Sequence, residues 1–162
     1  MITYKRTTAS DRDFKALVVD LDKDLWARYP DIQWVFAHAG GTMPFLVSRV
    51  VGRKMTEGAD GTVILDPTDK ARGGDGHARL AQLRRFYYEV AQQTNPVALG
   101  ALRKVVPISQ ILFGTDYPAS DSFGLAEPMA DHAAGLAGVF KGVELTAVES
   151  GNWLRLFPKY RQ

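Results

Sequence analysis

A histidine and an aspartate, far apart in the chain, each stand where an apolar run gives out: His38 in His38-Ala39-Gly40-Gly41, and Asp116 in Leu112-Phe113-Gly114-Thr115-Asp116-Tyr117-Pro118. If the two apolar runs are neighbouring parallel strands, both side chains come to the same carboxyl-terminal mouth, where α/β folds keep their chemistry. An imidazole can exchange a proton near neutral pH and a carboxylate can hold a metal, so the pair suits acid/base or metal-assisted chemistry. Taken singly, each residue also fits a plain loop or turn.

Positioning such a pair requires strands, helices and a core. At 162 residues, 46% apolar and 23% charged, the chain has the composition of one soluble domain. The formal charge of +2 is spread among alternating acids and bases, which points away from nucleic acid as a partner. No apolar run approaches the ~20 residues of a membrane helix, and no apolar signal region follows the first basic residues, so no membrane contact and a cytoplasmic location are expected. The chain has no cysteine; disulfides and thiolate ligands are excluded, and any metal must be held by histidine and carboxylate.

Residues 10–29 have the periodicity of an amphipathic helix, with Ser10 as cap and Asp13 in its first turn. Ile32 to Ala37 is a near-continuous apolar run of the buried-strand kind. Gly40 and Gly41 allow a tight turn; Thr42 as cap and Pro44 in the first turn start a helix to about Met55. Residues 57–76 are rich in Gly, Asp and Lys, contain only the short Val63-Ile64-Leu65 run, and are expected to form a mobile loop. A helix over His77–Arg85 leads into an aromatic strand, Phe86–Ala91. Asn95-Pro96 opens a helix to Val105, Gln110–Phe113 forms a third strand, and a helix follows from Met129 to about Phe140. Thr146 and Glu149 fit a capping box for a last helix. Strands alternating with helices predict an α/β fold with a parallel sheet in one domain.

The strings YPDIQWVFAHAGGTMPFLVSR, FYYEVA, VPISQILFGTDYP and GNWLRLFP, in that order, resemble the carboxyl-terminal half of the amidohydrolase-related metal-dependent hydrolases, the group of the aminocarboxymuconate semialdehyde decarboxylases. The resemblance spans residues 25–158. It implies a partial (β/α)₈ TIM barrel of about three parallel strand-helix units and a divalent metal, usually zinc. It implies Asp116 as a metal ligand, His38 as the acid/base group beside the metal-bound water or substrate, and Arg49 as a group that binds a substrate carboxylate, in some members across a dimer interface. The family's HxH pair and its fifth-strand His ligand have no counterpart in these strings, and His77 and His132 fall on predicted helices at no ligand position. The expectation is therefore a metal-dependent hydrolase or decarboxylase, weakly active or inactive alone. Its missing barrel half would come from a partner chain, and its open sheet edges favour a homo-oligomer. A non-catalytic remnant or assembly module, and a small-molecule binding domain, are the alternatives. Glu89 is expected at a strand end facing the mouth.

Overall fold

The computed structural model describes residues 28–29, 31–69, 75–118 and 129–161. The chain divides into two compact units, Met1–Gln33 and Trp34–Gln162. Nearly all of the helix expected over 10–29, with Ser10 and Asp13, lies outside the described residues, as does 119–128. The sheet and its helices belong to the second unit.

The centre of that unit is a sheet of three short parallel strands, β1 (Val35–Phe36), β4 (Tyr87–Glu89) and β5 (Ile111–Leu112), in the order β1-β4-β5. Val35 pairs with Tyr87 and Phe36 with Tyr88; Tyr88 then pairs with Ile111 and Glu89 with Leu112. Every strand is β-branched, aromatic or leucine-rich, as a pleated surface covered by helices requires. Because the strands are parallel, their carboxyl ends lie on one side, and His38, Ala91-Gln92 and Thr115-Asp116 leave the sheet together.

Helices follow the strands: α1 (Met43–Val50) after β1, α3 (Pro96–Val105) after β4 and α4 (Met129–Val139) after β5. The Asn95 carboxamide oxygen accepts from the amides of Val97 and Ala98, at 3.1 and 2.9 Å, as a helix cap should. Leu99, Leu102 and Val105 on α3, Leu136 on α4, and Val90, Val106, Ile111 and Phe140 form a contiguous buried core. This is a partial (β/α)₈ barrel, with three of the strand-helix units such a fold repeats.

The structure departs from the sequence expectations at several points. Thr42 makes no side-chain cap bond, and α1 stops at Val50, short of Met55; Gly52, at φ 139°, turns the chain away. Helix α2 (Gly76–Leu83) begins one residue early, because Asp75 acts as its cap and accepts from His77 and Ala78. The start of the 57–76 segment belongs to an antiparallel hairpin of β2 (Met55–Glu57) and β3 (Val63–Leu65). Leu65 sits fully in the core. Arg84 ties the hairpin to the barrel by donating to Val63 O and Thr62 Oγ1 on one side and to Val105 O on the other.

No capping box forms at Thr146. Its backbone is helical, its hydroxyl donates to Gly142 O, and α5 (Gly142–Thr146) continues through a π-helical turn, Ala147–Gly151, into α6 (Asn152–Leu156). This segment braces β5. The Asn152 amide donates to Ile108 O and Ile111 O, both at 2.8 Å, while Phe113 N donates to Val148 O and the Trp153 indole donates to Phe113 O. Among the described residues no helix is long and apolar enough to cross a membrane.

Candidate active site

Three loops leave the carboxyl ends of β1, β4 and β5, and each carries a residue in the left-handed backbone region. Among the described residues the non-glycine positions with positive φ are His38 (54°), Ala39 (56°), Gln92 (57°) and Asp116 (60°). All four belong to these loops. Such conformations cost of order 1–3 kcal/mol for a non-glycine residue and persist where surrounding bonds enforce them, a pattern that marks functional sites.

At His38 the enforcing group is Glu89, the last residue of β4. One carboxylate oxygen accepts from the His38 amide at 3.0 Å and the other from the Ala91 amide at 2.8 Å. The Ala91 carbonyl in turn lies 3.1 Å from His38 Nδ1. A carbonyl only accepts, so Nδ1 carries the hydrogen and Nε2 of the neutral ring keeps its lone pair. The third loop closes on the same carboxylate: a Cβ at Gly114 would fall 1.9 Å from Glu89 Oε2. Any larger residue there would displace the carboxylate. At Gly40, φ is 76° and a Cβ would meet the Tyr88 ring at 3.0 Å, so the His38 turn rests directly on the buried β4 tyrosine.

Asp116 joins the cluster through Gln92, whose amide nitrogen donates to Asp116 Oδ2 at 3.2 Å. The structure thus brings His38 and Asp116 to one mouth, both partly buried. Arg49 is elsewhere: it is exposed on the last turn of α1, the end of the helix away from its start near the His38 turn. Sequence reasoning misses Gln92, whose one signal is its place three residues past the end of an aromatic strand. Glu89 stands at the mouth as expected, but both of its oxygens are engaged by backbone amides instead of facing substrate.

The metal question turns on the donor set. The chain's three histidines are His38, His77 and His132. His77 is exposed on α2, and His132 is buried on α4, 3.4 Å from the Thr94 hydroxyl and edge-on to Phe113. Among the described residues no three His, Cys, Asp or Glu side chains group closely enough to hold an ion. Catalytic zinc is usually held by about three protein ligands. The described residues by themselves do not make that shell.

The fold and the site define a class: an incomplete (β/α)₈ barrel whose strand ends gather an imidazole, two carboxylates and an amide. Residues 7–136 match the amidohydrolase family, and the chain belongs to it. It is similar to the 6-methylsalicylic acid decarboxylase of Penicillium expansum, 27% identical over 138 residues that make up 82% of this chain and 37% of that protein. To a 6-methylsalicylic acid decarboxylase of Aspergillus aculeatus it is 29% identical over 129 residues, 79% of this chain and 36% of the other. Among solved structures it resembles the dihydroxybenzoic acid decarboxylase of a Polaromonas species, determined with manganese and the inhibitor 2-nitroresorcinol. That match has a TM-score of 0.57 at 18% identity, over 85% of this chain and 37% of that one. The chain therefore spans less than two-fifths of the length of these three relatives.

Proposed function

We propose that this chain contributes the carboxyl-terminal part of a metal-dependent decarboxylase site for an aromatic carboxylic acid. The observation that carries the reading is the convergence of His38, Glu89, Gln92 and Asp116 on three parallel strand ends, in a chain whose relatives are decarboxylases. His38 is the proposed acid/base group. With Nδ1–H held by the Ala91 carbonyl, Nε2 takes up and returns the proton. In decarboxylation Nε2 first takes up the proton of the substrate's carboxyl group; the bond between ring carbon and carboxylate then breaks, its electron pair stays on the ring carbon, CO₂ leaves, and Nε2 returns that proton to the vacated position. Asp116 is the proposed ligand for a divalent metal, zinc in our reading, whose other ligands lie outside the described residues. A partner chain supplying the rest of the barrel, or a second copy presenting Arg49 to a substrate carboxylate, would complete the site. The setting is cytoplasmic.

The shortage of ligands favours one other reading: a non-catalytic assembly module that keeps the strand-helix units. The two are separated by metal analysis after dialysis against zinc or manganese and by CO₂ release from 6-methylsalicylate. The chain alone is expected to hold metal weakly and release no CO₂ at a useful rate. Both properties should appear when a polypeptide carrying the remaining barrel strands is added, and both should be lost in Asp116→Ala. Failure of the reconstituted protein to take up metal leaves the assembly-module reading. One tightly held zinc per chain without a partner, lost in Asp116→Ala, would show a site assembled between copies of this chain.

A further inference from the structure

We infer that Glu89 is the positioning residue that sets the tautomer of His38. The bonds form a closed ring. Glu89 Oε1 holds the His38 amide, Glu89 Oε2 holds the Ala91 amide, and the Ala91 carbonyl takes the Nδ1 hydrogen of the same His38. The only member of that ring that can accept two amide hydrogens on separate atoms is an ionised carboxylate. It holds His38 at φ 54° and places the Ala91 carbonyl against Nδ1. The Gly114 backbone lies against the carboxylate, so close that a Cβ there would fall 1.9 Å from Oε2. A neutral amide cannot substitute, because its nitrogen would face a backbone N–H with two donors opposed.

The inference rests on reading His38 as the acid/base group for its purpose, but its test reads the imidazole directly and needs neither metal nor substrate. Two-bond ¹⁵N–¹H correlation spectra of the full 162-residue chain, recorded near pH ~8 where an ordinary histidine is neutral, distinguish the two ring nitrogens. The wild-type chain should show His38 with a pyrrole-like Nδ1 and a pyridine-like Nε2. In Glu89→Gln the two resonances should move toward each other as the Nε2–H form becomes populated, and the His38 amide should lose its slow exchange. His77 and His132 report whether the fold survives and should not move. Glu89→Asp keeps the charge but retracts it by one methylene, cannot span both amides, and should give the same shift if Glu89→Gln does not fold. A wild-type His38 already in the Nε2–H form, or a folded variant with its His38 pattern unchanged, would overturn the inference. A correct tautomer in a chain that never becomes active with any partner would instead count against the proposed function alone.

Discussion

Replacing Gly114 with alanine and Gly100 with alanine is the same chemical change, yet the two should move stability in opposite directions. At Gly114 the new methyl would stand 1.9 Å from Glu89 Oε2 and 2.9 Å from its carboxyl carbon. That carboxylate must move, and its bonds to the amides of His38 and Ala91 go with it. Hydrogen bonds to a charged group contribute about 1.5–3 kcal/mol each. His38 is partly exposed while Ala91 is fully buried; taking the lower end of that range for each bond, the pair is worth roughly 3 kcal/mol. Alanine returns about 0.4–1 kcal/mol by restricting the unfolded chain, which leaves a net loss of about 2 kcal/mol. At Gly100, within α3, nothing lies within 4 Å of the new methyl, and the change should gain about 0.5–1 kcal/mol of helix propensity. For a chain of this size 1 kcal/mol shifts Tm by roughly 2–4 °C. Thermal melts followed by circular dichroism should therefore show a fall of about 4–8 °C for Gly114→Ala and a rise of about 1–4 °C for Gly100→Ala. A Gly114→Ala chain as stable as wild type would mean that Glu89 is not clamped as described.

Other outcomes rest on the same structure. Tyr88 is buried on β4 and its hydroxyl donates to Leu83 O at 2.9 Å, and burial raises its pKa well above the ordinary tyrosine value. A raised folded-state pKa gives stability that is full below the unfolded value of about 10 and is lost as pH climbs toward the folded value; melts from pH ~9 to ~11.5 should show an alkaline loss that Tyr88→Phe reduces. Asn152→Ala takes the buried amide from the Ile111 carbonyl and one of two donors from the Ile108 carbonyl, which keeps the Ile111 N–H, and a cost of about 1–3 kcal/mol is expected in urea titrations. Limited proteolysis should cut first within 57–76, while amide exchange stays slow at Leu65, whose side chain is in the core; uniformly slow exchange over the segment would contradict its proposed mobility. The exposed apolar residues of β1 and α1, among them Phe36, Phe45 and Leu46, should drive association, which sedimentation velocity at micromolar concentration would detect; a monodisperse monomer would argue against it.

The elements legible in the sequence are those written in strong local signals. Parallel strands show as runs of apolar residues, and all three fall inside the expected segments, Ile32–Ala37, Phe86–Ala91 and Gln110–Phe113, although β1, expected buried, is exposed at both Val35 and Phe36. Asn95-Pro96 states both a cap and a first turn, and the helix begins there. Thr42 and Thr146 carry the same cap chemistry without the extended backbone a cap needs. Tertiary packing decides those positions: Thr146 lies in a continuous helical run whose π turn brings Val148, Asn152 and Trp153 onto β5. The hairpin at 55–65 is hidden because only Leu65 of its second strand is fully buried, so alternation is too short to register against the Gly and Asp around it.

The candidate site divides in a similar way. His38 and Asp116 are visible because each follows an apolar run, and a parallel sheet then has no choice but to bring them to one face. What no pattern in the chain reveals is that the two are held in strained backbone conformations by different means. His38 is fixed from inside, by the Glu89 carboxylate at the end of β4. The Asp116 loop is fixed from outside, by the carboxyl-terminal helix through both backbone groups of Phe113. The His38 side of the site therefore depends on the Glu89 carboxylate, and the Asp116 side on packing against β5. Among the described residues, both supports come from within the three strand-helix units and the carboxyl-terminal helix. Under the proposed function, a partner would bring further ligands to strand ends already held in place.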